Sequence, residues 1–155
     1  STSLYKLFIG PKGTTTRMHF DAGDAHAWLG QVRGRKLFVC FAPSDSKYLY
    51  QLESEVETSQ SPVDPLSVDL SQYPLYASAQ PYVFVLHPGE MVLMPRGWWH
   101  YAVALDTSVT VMRNFYSSAG KSNAEALVRY VMKTFKEKQK EKLAEQQIKK
   151  GGSKK

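Results

Sequence analysis

The amino-acid sequence predicts an all-β core of the barrel or sandwich class, followed by a long C-terminal α-helix. Three observations carry this. Short runs rich in β-branched and aromatic residues recur up to about residue 116: Leu4 to Ile9, Thr15 to Phe20, Ala27 to Val32, Lys36 to Phe41, Tyr82 to Leu86, Met91 to Met94, Tyr101 to Leu105 and Ser108 to Tyr116. Turn signals separate them: Gly10-Pro11-Lys12-Gly13, Arg33-Gly34-Arg35, Pro43-Ser44-Asp45, Pro88-Gly89 and Asp106-Thr107. From Lys121 the pattern changes to Lys, Glu and Gln with apolar residues at helical spacing.

Each part follows from its residues. At 155 residues and 17.5 kDa, with 43% apolar side chains, the chain suits one domain with a buried core. Residues 1–120 form the expected barrel, 121–150 the helix and 151–155 a disordered basic tail. The stretch Leu52 to Gln80 is rich in Ser, Pro, Asp and Gln, and reads as a long functional loop. The helix opens at Ser122-Asn123-Ala124-Glu125, a capping residue with an acidic first turn. Ala126, Leu127, Tyr130, Val131 and Phe135 then form one apolar stripe.

The net charge of +6 belongs to that tail: residues 121–155 hold 11 Lys/Arg against 4 Asp/Glu, and the rest is close to neutral. Interspersed glutamates argue against a phosphate-binding arm, so nucleic acid is a weaker expectation than a solvated extension that binds a partner or self-associates. No apolar run is long enough to span a bilayer and no leader pattern is visible, which points to a protein off the membrane. A single cysteine, Cys40, excludes an internal disulfide and fits a reducing compartment, cytoplasmic or nuclear; an organelle stays open because the chain starts at Ser1. Within Leu37-Phe38-Val39-Cys40-Phe41 the thiol reads as buried and inert.

The chemistry-bearing residues are His19, Asp21 and His100. In a strand, residues i and i+2 share a face, so His19 and Asp21 reach one ion together while Phe20 points into a packed layer. His100 follows an apolar run and a Pro-Arg-Gly turn, which sets it at a strand start. Two imidazoles and one carboxylate on one face of a metal leave positions open for a co-substrate and dioxygen, as in non-haem Fe(II) oxygenases. His26 and His87 fit no ligand spacing, and Asp24 and Glu90 read as turn and surface carboxylates. Trp98 and Trp99 read as packing residues.

The sequence also resembles the Jumonji C oxygenases, a branch of the cupin barrels. The elements that carry the likeness are Thr16, His19-Phe20-Asp21, Gln31-Val32-Arg33-Gly34-Arg35-Lys36, Gly97-Trp98-Trp99-His100 and Asn114-Phe115, in the family's order. The likeness spans Leu7 to Ser118 and looks strongest to small hydroxylases of asparaginyl and lysyl side chains. It implies a double-stranded β-helix, the cupin or jelly-roll barrel. It also implies Fe(II) on His19, Asp21 and His100, with 2-oxoglutarate as co-substrate and dioxygen as oxidant. Lys36 and Thr16 would hold the distal carboxylate of 2-oxoglutarate, and the amide of Asn114 would bond the co-substrate. The implied reaction is hydroxylation, or demethylation through hydroxylation, of a protein side chain, with Leu52 to Gln80 as a recognition loop.

Residue chemistry agrees on Lys36. A dicarboxylate buried in a barrel needs a fixed cation, and alternation places Lys36 on one face with Phe38 and Cys40. The chain departs from the family pattern in two places. Ala27-Trp28-Leu29 stand where relatives often carry an asparagine, and Met112 stands where several carry a small polar residue. The usual N-terminal strands and helices also have no counterpart before Leu4. These departures leave a rival reading, a non-catalytic cupin-like subunit of a larger assembly. A cupin that uses another divalent metal is a third.

Overall fold

A computed structural model describes residues 5–23, 25–52 and 60–116. Asp24, most of the expected recognition loop before Gln60, the predicted helix at 121–150 and the tail at 151–155 lie outside the described residues.

Every β-run expected from the sequence forms a strand: β1 Tyr5–Gly10, β2 Thr15–His19, β3 His26–Arg33, β4 Lys36–Phe41, β5 Tyr82–Leu86, β6 Met91–Met94, β7 Trp99–Ala104 and β8 Ser108–Phe115. They pair antiparallel into two four-stranded sheets, one in the order β1-β8-β3-β6 and the other β2-β7-β4-β5. That order is a jelly roll: successive strands alternate between the sheets except β4 and β5, which pair as neighbours in one sheet, and both layers close over one interior. Among the described residues the only helical elements are two short 3-10 turns, Pro43–Tyr48 and Pro74–Ser78.

Two apolar clusters hold the layers. The first lies between the sheets, where Ala27, Leu29 and Met112 meet Phe38, Cys40 and Ala102. The second lies on the outer face of β2-β7-β4, where Met18, Val39, Phe41 and Trp99 are covered by Leu49 and Ala79. Each fully buried large side chain here contributes about 1.5–3 kcal/mol. The segment after β4, read from the sequence as an open loop, is therefore partly a lid on the outer face. Polar contacts pin it. Ser61 donates its hydroxyl to the Leu49 carbonyl, Asp45 accepts the Gln80 amide N–H at 3.0 Å, and the Tyr50 hydroxyl accepts that of Leu75 at 2.8 Å.

The β3–β4 turn sets where β4 begins, and hence where Lys36 stands. Gln31 is buried in β3; its amide donates to the carbonyls of Arg33 and Gly34 at 2.8 and 2.9 Å, and its oxygen accepts the Thr110 hydroxyl at 2.8 Å. Gly34 has φ of +69°, and a Cβ there would run into the Thr107 carbonyl oxygen. Arg35 then forks onto Asp106, Nε to Oδ2 at 2.7 Å and Nη2 to Oδ1 at 3.1 Å. Both ends of that pair are exposed, so it orients the turn more than it stabilises the fold.

Gly34→Ala is expected to destabilise the protein by about 2 kcal/mol or more, combining the left-handed backbone cost with the carbonyl collision. A urea midpoint shifted down at unchanged slope checks this; an unchanged midpoint would contradict the turn geometry.

Candidate metal centre

The pairing of β2 with β7 builds the site. His19 stands opposite His100, and His100 in turn stands opposite Cys40 of β4. The β2–β7 register shifts between Thr16 and His19. In a regular strand, residues three apart face opposite sides. The bulge changes that parity: Thr16 and His19 both line the interior cavity, while Met18 between them is fully buried under the outer lid. Asp21 follows just past the strand end. Phe20 turns the other way and meets Trp99 edge to face at 4.8 Å, as strand alternation predicts.

One potential ligand atom from each of His19, Asp21 and His100 lies within 4.8 Å of the others. The two imidazole centroids are 4.2 Å apart. Each ring is aimed by its own strand. His19 Nδ1 faces the Arg17 carbonyl at 2.8 Å, and His100 Nδ1 faces the Trp98 carbonyl at 3.1 Å. A carbonyl only accepts, so Nδ1 carries the proton on both rings and Nε2 is left with its lone pair. This orienting of imidazoles by backbone carbonyls is the usual outer support of a metal site.

Burial sets the electrostatics. His100 is 4% exposed, and its pKa falls to about 3, chiefly by desolvation and then by repulsion from His19. Burial pushes the Asp21 carboxyl up, opposed by His19, by Lys6 and by the Asn114 amide. Asn114 stands near enough to act on Asp21. Yet Asp21 Oδ2 and Asn114 Nδ2 both lack a hydrogen bond of normal geometry, so a buried acceptor oxygen is left over at the centre of the cluster. Two imidazoles whose Nδ1 is engaged by a backbone carbonyl, leaving Nε2 available, and an unpartnered carboxylate oxygen are a donor set that fits a divalent cation.

The triad opens into a cavity of about 210 Å³ that also reaches Thr16 and Lys36. Lys36 is half-buried, and burial alone depresses its pKa. Its ammonium lies 5.5 Å above the Phe8 ring, and it has no acidic partner among the described residues. On β4, Lys36 and the residue facing His100 are separated by about 13 Å of strand. The β3–β8 wall is apolar, since Leu29 and Met112, opposite each other in the register, line it. Asn114, grouped with the co-substrate residues in the sequence, is not among the lining residues; its amide is turned to Asp21.

Lys6 is the cavity residue that sequence reasoning missed. It lines the same space and lowers the Asp21 pKa from β1. Alternation along Tyr5-Lys6-Leu7-Phe8-Ile9 shows that Lys6 and Phe8 share a face, but β1 carries apolar residues on its other face, so the pattern gives no inward direction. His26 is structural: it stacks on Phe115 at 5.3 Å and its Nδ1 accepts the Arg96 N–H at 3.2 Å. Glu90 accepts the His87 N–H at 2.7 Å in a surface turn. Burial pushes the Cys40 thiol up to about 12, which makes it inert.

Comparison with known proteins places this geometry. A family model described as a cupin-like domain matches residues 2–121. The chain is 38% identical over 96 residues to Jumonji C domain-containing protein 5 of Drosophila melanogaster, covering 62% of this chain and 23% of that protein. It is 36% identical over 110 residues to HSPB1-associated protein 1 of Homo sapiens, covering 70% and 22%. It is 33% identical over 104 residues to lysine-specific demethylase 8 of Xenopus tropicalis, covering 67% and 23%. The chain thus spans less than a quarter of the length of these relatives.

The buried histidine gives a pH signature in metal-free protein. An unfolded chain protonates His100 near 6.5, whereas the folded chain does not until about 3, so between these values the unfolded state binds the extra proton. The contribution is intact above pH 6.5 and is lost as pH falls. Asp21, with its pKa raised, acts oppositely and loses stability as pH rises through its folded value. Urea midpoints between pH 6.5 and 5 are expected to fall with a slope approaching about 1.4 kcal/mol per pH unit. His100→Gln should flatten that slope; an equal slope in the variant would contradict a neutral buried ring.

Proposed function

We propose that this chain, which belongs to the cupin-like Jumonji C domain family, is the catalytic barrel of an Fe(II)- and 2-oxoglutarate-dependent oxygenase acting on a protein side chain. The observation that carries the reading is a single cavity that joins a His-Asp-His donor set to a half-buried lysine with no acidic partner. A divalent metal answers the first feature and a short dicarboxylate answers the second. No simple structural barrel requires both, because a desolvated ammonium without a counter-charge costs stability.

His19, Asp21 and His100 would hold the iron, and the bound iron with 2-oxoglutarate would supply the oxidative chemistry that amino-acid side chains lack. The chain's own residues do the rest. The Arg17 and Trp98 carbonyls keep Nδ1 protonated on both rings, so Nε2 stays directed at the ion. The Asn114 amide favours the charged form of Asp21. Lys36 and Thr16 would pair with the far carboxylate, which fixes the co-substrate's length along β4. Leu29 and Met112 keep water from the opposite wall. A protein target agrees with relatives named lysine-specific demethylase 8 and HSPB1-associated protein 1. Recognition would draw on the segment that reaches the site at Gln60, which bridges to His19.

Succinate release from 2-oxoglutarate with added Fe(II) is the direct test. Asp21→Ala is expected to abolish it. Lys36→Met is expected to weaken 2-oxoglutarate binding by about 100-fold, equivalent to about 3 kcal/mol for a broken buried ion pair, while Co(II) binding followed by its visible spectrum stays unchanged. Succinate release that survives Asp21→Ala would overturn the assignment. A folded, Co(II)-binding protein with no turnover would favour the structural subunit.

A further inference from the structure

Lys6 points the wrong way for a solvated charge. On a half-solvated antiparallel sheet the usual alternation is apolar inward and polar outward. β1 reverses it: Tyr5, Leu7 and Ile9 face out at 54%, 60% and 69% exposure, while Lys6 lines the cavity. The register sets Lys6 at the metal end. On β8 the inward residues run Thr110, Met112 and Asn114; Phe8 stands beside Thr110 and Lys6 beside Met112. Lys6 is thus one step of the ladder, about 7 Å of strand, from Asn114, whose amide favours the charged Asp21. Lys36 belongs to the other end, with its ammonium 5.5 Å from the Phe8 ring. Lys6 and Phe8 are the exposed members of the lining and the others are buried or half-buried, so the cavity meets solvent along β1. β1 is an edge strand of its sheet, which leaves that side open among the described residues. Asp21 feels Lys6 through space, yet the two form no ion pair. The charges of the lining then decide what Lys6 is for. With the proposed function's ligands in place, a divalent cation and a dicarboxylate cancel each other, Asp21 cancels Lys36, and histidine ligands are neutral. The Lys6 ammonium is left over, one positive charge at the mouth beside the metal end.

We propose that Lys6 selects an acidic side chain, aspartyl or glutamyl, as the target that enters this mouth, and rejects lysine and arginine. The inference rests on the oxygenase reading and narrows its substrate. Its physical basis is the sign of the charge. A carboxylate that passes β1 meets an ammonium with no partner of its own, inside a cavity whose remaining charges cancel. A cationic side chain would meet a like charge at the same point, and a misplaced like charge is a strong means of excluding a wrong partner. The reaction is unchanged: one atom of dioxygen enters the target's C–H bond, and the other enters succinate as 2-oxoglutarate loses CO2.

Binding tests this without turnover, in the full chain loaded with Co(II) and 2-oxoglutarate. Two fluorescent pools of degenerate peptides, alike except for a central Asp or a central Lys, are compared by anisotropy. The native chain is expected to prefer the Asp pool. Lys6→Glu should lower the ratio of the two affinities about fivefold, the size of an exposed ion pair. Lys6→Met should lower it by less, and Lys6→Arg should preserve it. Lys12→Glu, the same change of charge in the β1–β2 turn, should leave the ratio as it is, and thermal melts should show every variant folded. A native preference for the Lys pool would overturn the proposal, as would a ratio unmoved by Lys6→Glu or moved equally by Lys12→Glu. A charge that merely guards the sheet edge acts alike with either sign, so it predicts the unmoved ratio. Failure of the native chain to bind Co(II) or 2-oxoglutarate would sink the oxygenase reading and this inference with it. Bound co-substrate with neither pool preferred, or with neither pool bound, would sink this inference alone.

Discussion

The candidate site depends on one irregularity, the bulge that shifts β2 against β7 between Thr16 and His19. It lets two residues of opposite strand parity enter the same cavity and sends Met18 outward into the second core. With His19 fixed opposite His100, the two imidazoles meet across a strand pair instead of across a loop, and strand pairing is the stiffest support a fold offers. Asp21 then needs only two residues of extended chain to complete the donor set.

Dryness is the second constraint, and it gives the site its chemistry. The same burial depresses His100 and Lys36 and raises Asp21, in each case by disfavouring the charged form. At Asp21 and Lys36 those shifts oppose the charges that a divalent cation and a dicarboxylate would restore, whereas at His100 the favoured neutral ring is the form that ligates a metal. The scaffold behind Lys36 is correspondingly rigid: Gln31 ties the β3–β4 turn to Thr110, and Arg35 ties it to Asp106. In that light the stretch from Gln31 to Lys36 is a device for starting β4 at a fixed position.

The two sheets differ in how their outer faces are treated. One is sealed by the lid after β4, anchored by Ser61, Asp45 and Tyr50. The other presents an apolar surface whose composition belongs in an interior. That asymmetry also explains why Lys6 could not be assigned from its strand. On a half-solvated sheet a lysine points to water, but on β1 the apolar residues point outward and Lys6 faces the cavity.

The strands, the all-β class and the shared direction of His19 and Asp21 were legible in the sequence, because period-two patterning and turn residues are local properties; that His100 joins them was implied by the family resemblance and not by periodicity. The inward direction of Lys36 was legible too, through its alternation with Phe38 and Cys40. The expectations for residues 121–155 fall outside the described residues. Tertiary structure alone decided the parity change at the bulge, the capture of residues 60–80 as an outer lid, the turning of Asn114 to Asp21 and the entry of Lys6 into the cavity. Each of these depends on which partner a residue meets across a strand or a layer, and a single chain's periodicity carries no record of that partner.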